Sequence, residues 1–194
     1  NYKKENIIYL EEPVKEWTNI KDKEGTNILV KFYEDQKKYS FAFQMMAYIS
    51  RLDLLRRTIK ENPGAIIITE RSLYTDKYVF AKMLYDSNKI EEIEYNIYNK
   101  WFSSMVDLAP LDKVIYMKTS ADTSFNRILK RSRDGENNIQ KDYIEKCNDY
   151  HNEMYKKLDD SVNIKKIIID CTNNIDEENN LLDLWSKEIM DFIK

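Results

Sequence analysis

Glycine is almost missing from this chain: three residues in 194, Gly25, Gly64 and Gly135, lie scattered along it. No phosphate-cradling G-x-x-x-x-G-K-S/T run can be drawn anywhere. Histidine occurs once, which excludes a His-based zinc site, and a Ser-His pair unless His151 supplies it. The two cysteines, Cys147 and Cys171, have neither metal nor redox spacing and suit a reducing, cytosol-like compartment. No apolar run approaches the roughly 20 residues that span a bilayer, and the start Asn1-Tyr2-Lys3-Lys4 is no secretory signal, so a soluble, cytoplasmic protein is expected. Surplus positive charge is lacking too: the net charge of -3 and pI near 5.4 argue against a grip on duplex nucleic acid. Repeats and low-complexity tracts are absent, and the one long loop, about Thr18 to Thr26, reads as an insertion. At 23.3 kDa the whole chain, 1–194, is expected to form a single domain.

What the chain does contain is a set of short apolar runs that end in charge. Ile66-Ile67-Ile68 runs into Thr69-Glu70-Arg71-Ser72, and Ile7-Ile8-Tyr9-Leu10 into Glu11-Glu12-Pro13. Val114-Ile115-Tyr116-Met117 precedes Thr119-Ser120, and Ile167-Ile168-Ile169 precedes Asp170-Cys171-Thr172. Four such strands separated by helical periodicity predict an α/β fold with a parallel sheet covered by helices. Ionisable side chains just beyond the carboxyl ends of such strands are where ligands bind, although a strand-end ion pair would look the same.

The helix after the loop places Phe41, Met45, Tyr48, Ile49, Leu52 and Leu55 on an expected buried stripe. Gln44, Ala47 and Arg51 share another face, a surface on which a flat heterocycle could lie; by spacing alone a solvated polar face is the simpler alternative. Asp76, which could pair with Arg51, and Phe80 are four apart in the next helix. Further on, Arg127, Lys130, Arg131 and Arg133 run into Asp134-Gly135-Glu136, either a lid at about 127–140 that closes on polyphosphate or a solvated helix end.

In order and spacing these pieces resemble the deoxynucleoside kinase family, in its deoxycytidine and deoxyguanosine kinase branch. The matching pieces are Glu12-Pro13-Val14 with Trp17, Tyr39 through Gln44, Ser50-Arg51-Leu52, Glu70-Arg71-Ser72 with Asp76-Lys77-Tyr78, Ile97-Tyr98 with Trp101, and Arg127 through Glu136. The resemblance implies a P-loop-kinase three-layer fold on a five-stranded parallel sheet and transfer of a γ-phosphate from ATP or another nucleoside triphosphate, with Mg²⁺, to a deoxynucleoside 5′-hydroxyl. Glu12 would be the general base, Arg71 the cation beside that hydroxyl, and Glu70 a Mg²⁺ holder through water. Gln44 would read the base edge, with Ala47 leaving room for the ring. Trp17 and Phe80 would wall the base, and Tyr33 with Glu136 would hold the 3′-hydroxyl. Arg127, Arg131 and Arg133 would compensate the transferring charge, and Asp170 to Ile175, Asn174 included, would lie near the donor base. Arg51 with Asp76 matches the branch that prefers deoxycytidine, deoxyadenosine or deoxyguanosine to thymidine. Family members dimerise through helices, and the apolar stripes around Ile90 to Met105 and Tyr143 to Leu158 fit a homodimer.

One departure accompanies the likeness. The family's P-loop follows a first, central strand, and the first strand here corresponds to the family's second. The expectation is therefore that this sequence begins just after the P-loop. Two alternatives share the architecture: a thymidylate-type monophosphate kinase, which would bind a nucleotide far more tightly than its nucleoside, and a degenerate, non-catalytic nucleoside binder.

Overall fold

Runs of β-branched residues form the strands because their stiff side chains pack well on a pleated surface. The computed structural model describes residues 6–132, 139–161, 164–174 and 180–194. It divides into two units, Asn1–Pro110 and Leu111–Lys194.

In the first unit, β1 (Ile7–Leu10) and β2 (Ile66–Thr69) pair in parallel, Ile7 opposite Ile66 and Leu10 opposite Thr69. The matched register brings both carboxyl ends to one edge, and the Glu70 N–H continues the ladder to the Leu10 carbonyl at 3.0 Å. After α1 (Val14–Asn19) the expected loop is a tight turn, closed by a bridge between Lys21 and Asn27 and by Asp22, whose carboxylate accepts from the Glu24 and Thr26 N–H groups. A short helix not foreseen from sequence follows, α2 (Ile28–Glu34), started by Asn27, whose side chain accepts from the Val30 N–H. Asp35 starts α3 (Gln36–Glu61) in the same way through the Lys38 N–H.

The long helix α3 lies between two apolar clusters. Trp17, Phe32, Phe43, Ala47, Leu84 and Ile90 form one, and Tyr48, Leu73, Ala81, Tyr98, Phe102 and Ala109 the other. The expected buried stripe is corrected here. Ile49 is 51% exposed, and Phe41, Met45, Leu52 and Leu55 are only partly buried, whereas Ser40, Gln44, Ala47, Ser50 and Arg51 are fully covered. Helices on both sides of α3 use up both faces, so its polar face is not solvated.

Beyond β2 the chain forms α4 (Leu73–Thr75), a π-helical turn over Asp76–Ala81 and α5 (Lys82–Asp86). The Lys82 N–H reaches back five residues to the Lys77 carbonyl, so Asp76 and Phe80 stand on a wider coil than the expected α-helix. Helix α6 (Glu92–Met105) opens with a capping box between Glu91 and Glu94.

In the second unit, β3 (Lys113–Lys118) and β4 (Lys165–Asp170) pair in parallel over their full length. With them stand α7 (Ala121–Arg131), capped by the Ser120 side chain, α8 (Lys141–Ser161) and α9 (Leu181–Ile193). Lys113 Nζ donates to the Phe192 and Ile193 carbonyls and so closes the C-terminus of α9. Among the described residues no helix is long and apolar enough to cross a membrane.

Candidate active site

Because β1 and β2 end together, Glu12 and Arg71 meet at the sheet edge. Arg71 Nη1 donates to Glu12 Oε1 at 2.8 Å and to Oε2 at 3.1 Å. From α3, Arg51 reaches the same carboxylate: its Nη2 donates to Glu12 Oε1 at 2.6 Å. The rest of that guanidinium is also used, Nε on Asp76 Oδ2 at 2.9 Å and Nη1 on the Glu70 carbonyl at 2.8 Å. Two arginines and two carboxylates thus form one chain of ion pairs, Asp76–Arg51–Glu12–Arg71, that balances its formal charge.

Burial grades along that chain. The Arg51 and Asp76 side chains are 4% and 3% exposed, Glu12 10% and Arg71 39%. Burial pushes the Asp76 carboxyl above its ordinary value, and Arg51 opposes the push. Burial works against the charge of Arg51 as well, but Asp76 and Glu12 more than offset it and raise its pKa. Arg51 stays a cation, and its bonds orient both carboxylates. Glu12 Oε1 is taken by two guanidinium donors, while Oε2 has one and keeps a lone pair for another proton donor.

Around this chain stand the residues read as a base pocket. Gln44 and Ala47 are buried on α3, two turns and one turn before Arg51 respectively. Phe80 is partly buried and lies under the Arg71 guanidinium, 4.8 Å from its carbon to the ring centre. Trp17 is only 4% exposed, and its Nε1 donates to Ser50 Oγ at 2.8 Å. Its ring stands edge-on to Phe43 at 5.5 Å, and Phe43 stacks on Phe32 at 4.6 Å. Tyr33 is partly buried against this cluster. Glu70 is exposed, and its carbonyl serves Arg51.

Sequence reading gave no role to Phe43 or Ser50, although both lie inside quoted motifs. The signal for Ser50 was a hydroxyl one residue before the buried arginine. Its Oγ donates in turn to the Met46 carbonyl at 2.8 Å, so the serine joins the indole to the helix backbone.

The second unit holds the remaining described candidates. Arg127 donates from Nε and Nη2 to Asn174 Oδ1 at 3.2 and 3.1 Å and from Nη2 to the Asn173 carbonyl at 3.0 Å, so an expected lid arginine and the turn after β4 are joined. Asp170 accepts from the Thr172 hydroxyl at 2.6 Å and N–H at 2.9 Å; these bonds hold its carboxyl below the ordinary value. Arg131 is exposed at the end of α7. Arg133 and Glu136 lie outside the described residues, as do the middle of the expected lid and Ile175.

The chain is similar to known kinases. A probable deoxycytidine kinase of fowlpox virus is 36% identical over 149 residues, 75% of this chain and 59% of its own length. The mitochondrial deoxyguanosine kinase of Xenopus laevis is 30% identical over 191 residues, 87% of this chain and 72% of its own. The human mitochondrial thymidine kinase 2 is 29% identical over 155 residues, 78% of this chain and 56% of its own, so kinship by itself selects no base. This chain therefore spans roughly three fifths to three quarters of the relatives it matches. The family model described as deoxynucleoside kinase matches residues 2–194, across both units. With that match over nearly every residue, and with Glu12, Arg51, Arg71 and Asp76 bonded to one another, the chain belongs to the deoxynucleoside kinase family.

Proposed function

We propose that the protein transfers the γ-phosphate of ATP or another nucleoside triphosphate to the 5′-hydroxyl of a deoxynucleoside in nucleotide salvage, preferring deoxycytidine, deoxyadenosine or deoxyguanosine to thymidine. The observation that carries this reading is the Glu12 carboxylate, oriented by Arg51 and Arg71 with a lone pair left on Oε2. A substrate hydroxyl beside it would give its proton to Oε2 as its oxygen forms a bond to the γ-phosphorus and the bond to the departing diphosphate breaks. Arg71, the more exposed cation, sits where the 5′-oxygen and incoming phosphate gather negative charge, and such positioned charge is the main protein contribution to phosphoryl transfer.

The Arg51–Asp76 pair supports the base preference. It fills with polar groups the space that a thymine methyl would need, and Gln44, buried on the same helix, offers one donor and one acceptor edge. Ala47, Phe80 and Trp17 complete the wall, and Tyr33 keeps its assignment to the 3′-hydroxyl, together with Glu136. For Mg²⁺ the exposed Glu70 is a fitting holder, because magnesium takes one or two carboxylates plus phosphate oxygens and water. Among the described residues no group of three acids, histidines or cysteines forms a separate metal cage. Bound there, the ion would neutralise donor phosphate charge. Arg127, Arg131 and Arg133 keep the phosphoryl-compensating role, and Asp170 and Asn174 the donor-base contact.

This reading includes one kinase domain over 1–194, which the family match across both units supports, and a five-stranded parallel sheet; the described strands pair in twos, β1 with β2 and β3 with β4. It includes a reducing, cytoplasmic location, suited to Cys147 and Cys171 as thiols, and no nucleic-acid partner. It also includes a homodimer. Ile93, Ile97 and Trp101 recur at four-residue steps on α6 and are 67%, 43% and 46% exposed, an apolar stripe that a second copy would cover. Sedimentation of the natural gene product should return twice the chain mass, and a single-chain mass would remove the dimer.

Phosphorylation rates for the four deoxynucleosides with ATP and Mg²⁺ test the activity. At least one of deoxycytidine, deoxyadenosine and deoxyguanosine should exceed thymidine in kcat/KM by about tenfold or more, the discrimination expected of a site with buried polar groups. A thymidine preference would overturn the base assignment. Nucleoside binding without any turnover would overturn the catalytic one.

A further inference from the structure

We propose that Thr69 is a positioning residue: its hydroxyl holds Arg71 in the backbone conformation from which the guanidinium reaches Glu12. The inference rests on the phosphoryl-transfer reading above and adds a residue to which neither the motifs nor the family match assigns a role.

Arg71 has φ 65°, in the left-handed region that a long side chain with a Cβ rarely occupies. Asn88 and Ser132 share the feature, but Asn tolerates it and Ser132 ends a helix, whereas Arg71 sits between a strand and the cap of α4. Glycine would be the ordinary choice at such a turn. An arginine there must be held by its surroundings, and the bonds that do so are visible. Before it, the Glu70 N–H is on the Leu10 carbonyl at 3.0 Å and the Glu70 carbonyl accepts from Arg51 at 2.8 Å. After it, Ser72 caps α4 through the Thr75 N–H at 3.3 Å. The Arg71 carbonyl itself is fastened by the Thr69 hydroxyl, which donates to it at 2.5 Å.

The consequence is directional. With its peptide pinned, the Arg71 side chain turns back toward β1, places Nη1 on both Glu12 oxygens and lays its guanidinium over Phe80. Valine at 69 would keep the β-branched shape and partial burial of the last β2 residue but supply no donor. The Arg71 backbone would then relax toward negative φ and draw the guanidinium off Glu12. Gln44 and Arg51, which the base would meet, stand on α3, and Arg51 stays fastened to Asp76.

The test uses the natural gene product and its preferred deoxynucleoside. Thr69→Val should lower kcat by about 5- to 10-fold, the equivalent of one lost hydrogen bond, with the nucleoside KM changed less than about twofold. Thr69→Ser, which restores the hydroxyl, should return kcat to within about twofold of the starting value. In an Arg71→Ala background Thr69→Val should have no further effect, because residues that act through one another are not additive. A Thr69→Val enzyme with unchanged kcat, a serine that fails to rescue, or an undiminished loss in the Arg71→Ala background would overturn the proposal. A crystal structure of Thr69→Val separates this idea from the activity itself. Arg71 with positive φ and its guanidinium still on Glu12 would sink the role of Thr69 even if the wild-type protein transferred no phosphate; a φ turned negative would uphold it.

Discussion

Glu12→Gln is expected to lower kcat by about 10²- to 10⁴-fold in the natural gene product, while deoxynucleoside affinity changes only severalfold. Glutamine keeps the length and shape of the side chain and one oxygen for Arg51, but its amide cannot take the proton of an attacking hydroxyl. Nor does the change strip the interior of its balance. Arg51 keeps Asp76 at 2.9 Å and the Glu70 carbonyl at 2.8 Å, and Arg71, 39% exposed, is solvated enough that losing a charged partner costs little. The effect should therefore fall on turnover rather than on the melting temperature. Initial-rate kinetics paired with calorimetric nucleoside titration separate the two. A glutamine variant that retains a tenth or more of the starting kcat would end the assignment of Glu12 as base.

Arg51→Leu is the substitution expected to cost most in stability. It leaves Asp76, 2% exposed, without its main cation, and breaking a buried pair from one side typically costs about 3 to 5 kcal/mol. The loss should depend on pH in a definite direction. Burial already raises the Asp76 pKa above its ordinary 3.8, and Arg51 is the first opposing influence, so its removal raises it further. A carboxyl with a raised folded pKa contributes its stability below the unfolded value and loses it as pH rises through the folded pKa. The variant should accordingly regain stability relative to the wild type as pH is lowered from neutral toward 3.8, and lose it again on return. The double change Arg51→Leu with Asp76→Leu should recover most of the stability, since apolar residues of similar volume replace a buried pair at little cost. It should also erode the discrimination against thymidine, because apolar side chains in place of the polar pair would accept a methyl group beside the base. Urea denaturation at several pH values checks the first claim and competition between nucleosides the second. A single-variant loss below about 1 kcal/mol, within the range of exposed pairs, would show that this pair is not a buried one.

The four strands and most helices could be read from the chain because each is written locally. Ile66-Ile67-Ile68 is β-branched throughout, and a hydroxyl one residue before Ala121 serves its own helix within a turn. Helix α2 escaped, being seven residues long with its apolar side chains on most sides, too short for periodicity to declare itself. The π-helical turn escaped because Asp76 through Ala81 carries no residue that forbids an ordinary helix. Ile49 was misjudged for another reason. The period of α3 says which residues share a face, but which face meets a neighbour depends on helices far away in the chain.

For the site, the residue types were legible and their bonds were not. An acid, a guanidinium and a hydroxyl at the end of an apolar run announce charge delivered to a strand tip, and the likeness to a kinase family attached names to Glu12, Arg51, Arg71 and Asp76. That Arg51 serves Asp76, Glu12 and the Glu70 carbonyl at once follows only from the folded chain, because those partners lie 25, 39 and 19 residues away and no local pattern encodes such distances. The grading of exposure along the ion-pair chain, with 4% at Arg51 and 39% at Arg71, is likewise a property of what packs above each group. Sequence by itself determined the strands and most of the helices, the acids and bases at their ends and the family. Tertiary structure decided which charges are buried, which carboxylate oxygen stays open, and which hydroxyl holds the turn at Arg71, since desolvation and hydrogen-bond direction depend on the position of groups that sequence neighbours do not control.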